Sequence, residues 1–558
     1  MMLTVAKAVA DALAIEADGP IFGLMGDANM AVWDSLCRDP RTRMIATRHD
    51  AAAVLMADGY ARATGKLGVC TVTCGPGLAN CATALLTAAR AQTPLVLFTG
   101  EYQPVGKGNL QAFDQKQFAA VCEAGFRTLS TLDRLAEDIR EGFYAARTRQ
   151  KPYILSLPAE YWEAELPWEW EYRPSHEFIT GTAPAPQPEA VEQLAARLAA
   201  AKRPVFIAGR GATQPGVRAQ IERLGELTGA LLASTLISKG YFDGHEWDLG
   251  ISGLFSSAPT EELMADADFV LGIGASLNLF TTEGGMLFPG AEVARIDVKP
   301  QPPEIGMLPG MYVQGDAKKT VMALVATLER RAHRKEGYRT TAARGILATQ
   351  PAPPDRATDG LDPRELMRVL ARALPRDTQV VVGAGHFWAW PAFHLALPPG
   401  GSYVHTVSFG SIGLGLAHGI GAATGNPGRT TLVIEGDGGL LQSIQELHAA
   451  AEQNTPLILL VMNDGGFGAE VHKMRLKGRD PRDATWRSPD FVAIARGFGG
   501  DGVRLNSESD LTGAIARGLE AKGPFLIDAR ISPTMLNDAY TRLYRAQPNS
   551  VPLLRPVG

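Results

Sequence analysis

Short apolar runs alternate with helix-length amphipathic segments along most of the chain. In the N-terminal third, residues 69–73 lead through Gly75-Pro76-Gly77 into a helical pattern over 78–92 and then an apolar run at 95–99. The middle third repeats the rhythm, with runs at 205–208 and 269–272 and a helical stretch around 216–229. In the last third, residues 431–434 pass through a glycine-rich turn into a helical pattern over 440–454, followed by a run at 457–462. The strand runs are apolar throughout, not alternating, which marks strands buried on both faces. Strand–helix–strand order then predicts parallel sheets covered by helices, an α/β fold class.

Two proline-rich stretches divide the pattern into three. One spans 173–189, with Pro174, Pro184, Pro186 and Pro188; the other spans 331–362, with Arg334, Lys335, Arg339, Pro351, Pro353 and Pro354. Such segments bury too little apolar area to offset their ordering. The expected domains are 1–172, 189–330 and 363–540, with a tail at 541–558. A length of 558 residues has room for them.

Composition narrows the function classes. Apolar residues are 46% and charged residues 20%, an ordinary globular balance. Lys and Arg number 54 against 59 Asp and Glu, a net charge of -5, so no basic excess points to nucleic acid or an anionic membrane. No apolar run approaches the ~18 residues of a membrane-spanning helix. Asp11, Glu16 and Asp18 interrupt the N-terminal segment, unlike a signal peptide. Five cysteines with no CxxC pair suit reduced thiols and a cytoplasmic setting.

The sharpest chemistry lies in Glu435-Gly436-Asp437-Gly438-Gly439. Asp437 follows the carboxyl end of a strand, the glycines let backbone approach a ligand, and the next helix aims its N-terminus at an anion. One crossover later comes Met462-Asn463-Asp464-Gly465-Gly466. Parallel neighbours would bring Asp437 and Asp464 to one edge, two hard oxygen ligands suited to Mg²⁺ between protein and a diphosphate. A pair of turn aspartates is the plainer alternative.

These residues resemble the thiamine-diphosphate motif of the acetolactate synthase, pyruvate decarboxylase and benzoylformate decarboxylase superfamily. Supporting segments are Phe22-Gly23-Leu24-Met25-Gly26-Asp27, Arg48-His49-Asp50, Met56-Ala57-Asp58-Gly59-Tyr60-Ala61-Arg62, Gly75-Pro76-Gly77 and Gly410-Ser411-Ile412-Gly413-Leu414-Gly415. The resemblance implies pyrimidine-binding, central and diphosphate-binding domains in that order, working as a homodimer or homotetramer. It implies Asp437, Asp464 and the Gly466 carbonyl as Mg²⁺ ligands, Gly438 and Gly439 in the cofactor loop, and His386 against the diphosphate. Gly410 and Ile412 would meet the aminopyrimidine. The usual activating Glu is replaced by Asp50, which loses one methylene, about 1.5 Å of reach. Either Asp50 still activates the cofactor or it merely caps the following helix.

Asp27 and Glu470 stand where decarboxylases of this superfamily carry two acids. Paired and buried, they would hold a proton near neutrality; as alternatives, Asp27 caps a helix and Glu470 is a solvated charge. The histidine pair of pyruvate decarboxylases is missing, with Glu101-Tyr102-Gln103 near its place, and Thr73 stands at the benzoylformate decarboxylase histidine. Gln115 resembles a pocket glutamine of acetolactate synthases, and His49 and His472 are further acid–base candidates. Gly209-Arg210-Gly211-Ala212 and Gly272-Ile273-Gly274 are weak nucleotide signals, leaving FAD a minor expectation. The resemblance implies 2-keto acid decarboxylation or carboligation on a small-molecule substrate. Non-decarboxylating C–C cleavage of a diketone or 2-hydroxyacyl-CoA, or a weakly active cofactor-binding regulator, are the alternatives.

Overall fold

The computed structural model describes residues 3–102, 109–181, 183–299, 310–349, 355–540 and 542. Three six-stranded sheets, parallel at every pairing, follow one another. The first contains β1 (Ile21–Gly23), β2 (Met44–Ala46), β3 (Gly68–Thr71), β4 (Leu95–Glu101), β5 (Gly125–Thr128) and β6 (Pro152–Pro158), in the order β2-β1-β3-β4-β6-β5. The second contains β7 (Pro204–Ala208), β8 (Leu231–Ser234), β9 (Asp248–Ile251), β10 (Phe269–Ile273), β11 (Glu292–Asp297) and β12 (Met311–Gln314), in the order β12-β11-β10-β7-β8-β9. The third contains β13 (Gln379–Val382), β14 (Ser402–His405), β15 (Thr431–Gly436), β16 (Leu457–Asn463), β17 (Asp501–Arg504) and β18 (Pro524–Arg530), in the order β14-β13-β15-β16-β18-β17. The first and third thus share one winding. Each central strand is buried along its length, as its unbroken apolar run requires.

The first and third sheets belong to one compact unit and the second sheet to another, together with Ala389–Leu397. In that second unit the half-buried Lys239 donates its ammonium to the Ala392 carbonyl at 2.9 Å. The segment after residue 331 is not all irregular: Thr341–Leu347 is helical, and Ala343 and Tyr338 join the core around Val205 and Val270. Its prolines at 351, 353 and 354, and most of the expected tail at 541–558, lie outside the described residues. The expected helix over 440–454 divides into Asp437–Leu440 and Glu446–Glu452. Between them the backbone closes i→i+3 bonds, such as Ser443 N to Leu440 O at 3.0 Å and Glu446 N to Ser443 O at 3.0 Å. The pattern over 78–92 likewise divides into Pro76–Ala79 and Ala82–Arg90.

In the first unit one apolar core runs through both sheets, from Val54, Met56 and Leu97 to Leu416, Ile420, Val433 and Leu459. Its seam is the pair of helices Asp50–Thr64 and Gly415–Gly425. They touch backbone to backbone: a Cβ on Gly59 would sit 2.1 Å from the His418 carbonyl oxygen, and one on Gly421 would sit 1.9 Å from that of Met56. Asp58, fully buried, bridges the seam to His418 Nε2 at 2.8 Å and pairs with Arg62 at 2.6 Å. Burial alone would push the Asp58 carboxyl up, but Arg62 and His418 hold it well below the ordinary carboxylate range.

Removing one partner from a buried ion pair strands the other charge. Asp58→Ala should therefore cost about 3–5 kcal/mol, read as a fall in the urea midpoint of the first unit's unfolding. A loss within experimental error would show that the seam is held by apolar packing alone.

Candidate active site

β15 and β16 are adjacent and parallel, with Gly436 opposite Met462, so the residues just beyond them emerge side by side. Asp437 opens a single helical turn and Asp464 opens the next loop. Asp437 Oδ2 is buried without a hydrogen-bond partner. Burial and the facing Asp464 carboxylate push the Asp437 carboxyl up, and burial pushes Asp464 up as well. Two close carboxylates that share a proton in the bare protein are the arrangement a divalent cation would relieve. Asn463 is committed elsewhere: its Nδ2 donates to Asp528 at 2.8 Å and its Oδ1 accepts from Ser488 at 2.8 Å. The loop's Gly466 is fixed by flanking bonds, Phe467 N to Ala484 O and Trp486 N to Gly465 O, both 2.9 Å. Among the described residues no group of three or more His, Cys, Asp or Glu side chains is placed to hold a metal ion. Two carboxylates and a carbonyl fit Mg²⁺, which completes its shell with phosphate and water.

The glycines around this pair are sterically required. A Cβ at Gly468 would lie 2.2 Å from Asp464 Oδ2, and one at Gly438 would lie 2.9 Å from the Phe467 and Trp486 rings. With only four residues in the Asp437–Leu440 helix, the expected anion site at a long helix's N-terminus is not formed; a short turn rich in glycine stands there instead. Gly410 has φ +79° and closes the turn Val407–Phe409, followed by half-buried Ile412 and by Gly413 at φ +82°. His386, at the start of the turn after β13, is buried with its ring 4.2 Å from that of His472. Burial and then His472 hold the His386 imidazole neutral, well below its usual range; burial with nearby Arg475 brings His472 down to about 4.

Glu435 was not singled out by sequence reasoning. It is fully buried and accepts from the Gly415 amide at 2.8 Å and the Gly436 amide at 3.2 Å. A Cβ on Gly383, Gly415 or Gly439 would meet its carboxyl atoms at 2.2, 2.4 and 2.6 Å. Burial pushes it up to about 8, so it is largely protonated near neutral pH. Its one visible signal was a carboxylate ending an otherwise apolar strand.

On the first sheet, the helix begins at Asp50 itself and its cap is His49, whose Nδ1 accepts from the Ala51 amide at 3.1 Å. Asp50 is therefore not the cap. Its Oδ2 accepts from Asn80 Nδ2 at 3.0 Å, and Gly77 clears its other oxygen, where a Cβ would approach to 3.0 Å. Asp27 and Glu470 do not form a buried acid pair: both side chains are exposed, and Glu470 lies 3.7 Å from Lys473. Asp27 does not cap its turn either. Asn29 accepts from the Gly26 amide at 2.8 Å and donates to Thr71 Oγ1 at 3.0 Å, which leaves Asp27 outside. Gln115 is buried, donating to the Gly100 carbonyl at 3.0 Å and lying 3.1 Å from the Ser156 hydroxyl. In the second unit, a Cβ on Gly209 would sit 2.4 Å from the Gly274 carbonyl, so the glycines of these two loops serve each other's packing. Gln103 lies outside the described residues. No helix among the described residues is long and apolar enough to cross a membrane.

Three family models match the chain. The thiamine pyrophosphate enzyme N-terminal TPP binding domain matches residues 3–118, the central domain 191–324, and the C-terminal TPP binding domain 382–529. The chain is 30% identical over 537 residues to the "Probable 2-ketoarginine decarboxylase AruI" of Pseudomonas aeruginosa, covering 95% of this chain and 94% of that one. It is 28% identical over 538 residues to an acetolactate synthase of Mycobacterium bovis, covering 92% and 85%. With the "Probable acetolactate synthase large subunit" of Methanococcus aeolicus it shares 26% over 555 residues, covering 95% and 92%.

Asp437→Ala should remove Mg²⁺-dependent cofactor binding in a calorimetric titration, and unchanged affinity would refute the metal assignment. His472 carries a lowered folded-state value, so the unfolded chain protonates first as pH falls. Its contribution is complete above about 6.5 and lost on the way down to about 4. Urea midpoints should drop over that window, and His472→Gln should flatten the drop.

Proposed function

The chain belongs to the thiamine pyrophosphate enzyme family, and on that premise we propose that it decarboxylates a small 2-keto acid, using thiamine diphosphate and Mg²⁺. The observation that carries this reading is the Asp437–Asp464 pair, with Asp437 buried and one of its oxygens unpartnered. Asp437, Asp464 and the Gly466 carbonyl would hold the metal, and Gly438 and Gly439 would let the diphosphate approach the loop. His386, neutral, can donate to a phosphate oxygen without adding a buried charge. Gly410 and Ile412 would meet the aminopyrimidine, and the Asp50 carboxyl would hydrogen-bond its ring nitrogen and share a proton with it. When bound, thiamine diphosphate supplies the carbon nucleophile and the electron sink for cleavage beside a carbonyl. Decarboxylation is the class named for one relative; transfer of the resulting acyl unit to a second carbonyl would follow the acetolactate synthases.

A homodimer or homotetramer fits this reading. Met25, Met30, Phe409 and Phe467 are exposed beside Asp27 and the Gly410 and Gly466 loops. A second copy covering them would also take Asp27 and Glu470 out of water, the condition under which they could hold a proton. The domain limits consistent with the reading are 1–172, 189–330 and 363–540.

Purified protein with thiamine diphosphate, Mg²⁺ and a panel of 2-keto acids, from pyruvate to guanidino, aryl and branched ones, should release CO₂ only when the cofactor is present. An aldehyde product identifies a simple decarboxylase, and a 2-hydroxyketone or acetohydroxy acid a carboligase. Cofactor binding without CO₂ from any member would overturn the proposal.

A further inference from the structure

Asp50 is shorter by one methylene than the family's activating residue, so its reach depends on where the backbone before it is held. Beyond the bonds Thr47 makes to Gly23 in its own sheet, that backbone is clamped by a short helix packed with the third sheet. Glu446, fully buried at the start of Glu446–Glu452, accepts from the Arg48 amide with both oxygens, at 3.2 and 3.1 Å, and the His49 amide also donates to it. The Arg48 side chain grips the same helix, with Nε donating to His448 Nδ1 at 2.8 Å and the guanidinium paired with Glu452. Arg48 also turns back onto its own strand exit, donating to the Ala46 and Thr47 carbonyls at 3.3 and 3.2 Å. His49 then caps the helix whose first residue is Asp50.

The amides that Glu446 holds lie within two residues of Asp50. Asn80 fixes one Asp50 oxygen from the side, whereas Glu446 takes hold of the amides of the main chain that feeds it, beside the Thr47 hydroxyl on the His49 carbonyl at 3.1 Å. Burying a carboxylate is costly unless hydrogen bonds satisfy it. These amides, with the Gln445 side chain and the Arg48 charge beside them, are what satisfies Glu446. A catalytic hydrogen bond works over about 2.6–3.2 Å, so a small backbone shift matters more for a short side chain than for a long one.

We propose that Glu446 is a positioning residue, setting the height of the Arg48-His49 backbone so that the shortened Asp50 carboxylate meets the cofactor. The proposal rests on the reading that Asp50 activates the cofactor.

The test compares Glu446→Gln and Glu446→Asp with the parent and with Asp50→Ala, all loaded with thiamine diphosphate and Mg²⁺. Exchange of the cofactor's thiazolium proton into deuterium oxide is read by quenched-flow NMR. A displacement near 1 Å costs up to about a hundredfold, so Glu446→Gln should slow exchange by about ten- to a hundredfold. Cofactor affinity by calorimetry should stay within about twofold, because Glu446 touches neither diphosphate nor metal. In the cofactor-free proteins, amide hydrogen exchange of the peptide containing Arg48 and His49 should rise in Glu446→Gln. Adding Asp50→Glu should restore part of the lost rate, since a longer side chain tolerates a displaced backbone; a merely structural residue would show no such rescue. If Glu446→Gln does not fold, Glu446→Asp, which keeps the charge, is read by the same measurements. Thiazolium exchange unchanged in Glu446→Gln but abolished in Asp50→Ala would overturn the positioning role and leave Asp50's role standing. Exchange unchanged in Asp50→Ala would instead remove the reading on which the proposal rests.

Discussion

The contact between the helices Asp50–Thr64 and Gly415–Gly425 constrains everything else in the first unit. Gly59 and Gly421 bring the two backbones so close that no side chain fits between them. That proximity lets one buried carboxylate, Asp58, reach an arginine on its own helix and a histidine on the other. It also sets both helix starts. One begins at Asp50, and the other follows the Gly410–Gly413 turn, so the acid and the candidate pyrimidine loop are carried by the two members of one rigid pair.

Behind that pair, the site is organised by carboxyl groups that are out of water. Glu435 knits the loops after β13 and β15 to the Gly415 amide. Glu446 ties the strand exit before Asp50 to the helix that follows the Asp437 loop. Asp437 and Asp464 face each other with an oxygen unspent. Five acids in one unit, Asp58 among them, thus have different tasks, decided by what each meets: backbone amides, a guanidinium and imidazole, or another carboxylate. A carboxyl with amide partners becomes a bolt, whereas one left facing its like becomes a place for a cation.

How much of this the sequence discloses depends on range. The apolar runs at 69–73, 205–208, 431–434 and 457–462 mark real buried strands, because burial on both faces writes itself into consecutive residues. The side-by-side exit of Asp437 and Asp464 follows from a single crossover. Helix patterns over 78–92 and 440–454 overran their breaks, since the tightened turns keep the same residues apolar. The cap at the Asp50 helix, which the sequence offered to Asp50 only as an alternative role, falls to His49, because a histidine ring nitrogen does what a carboxylate usually does. Asp27 and Glu470 were legible as acids, with a solvated Glu470 among the alternatives, but which reading holds is decided by Asn29's anchoring and by Lys473, neither visible as pattern. Glu446 escaped notice because its partner, Arg48, lies 398 residues away along the chain.

That distance has a consequence for how the protein is made. The helix Asp50–Thr64 leaves the ribosome long before Gly415–Gly425, and its apolar face is finished only by Leu416 and Ile420. At about 5–20 residues per second, the gap from Thr64 to Gly415 leaves that face uncovered for roughly 20–70 s. During this time the second sheet, which has its own core, can complete itself. The nascent first sheet must wait as an unfinished surface, so its yield in the cell should depend on chaperone supply and on the pace of translation through the middle of the message.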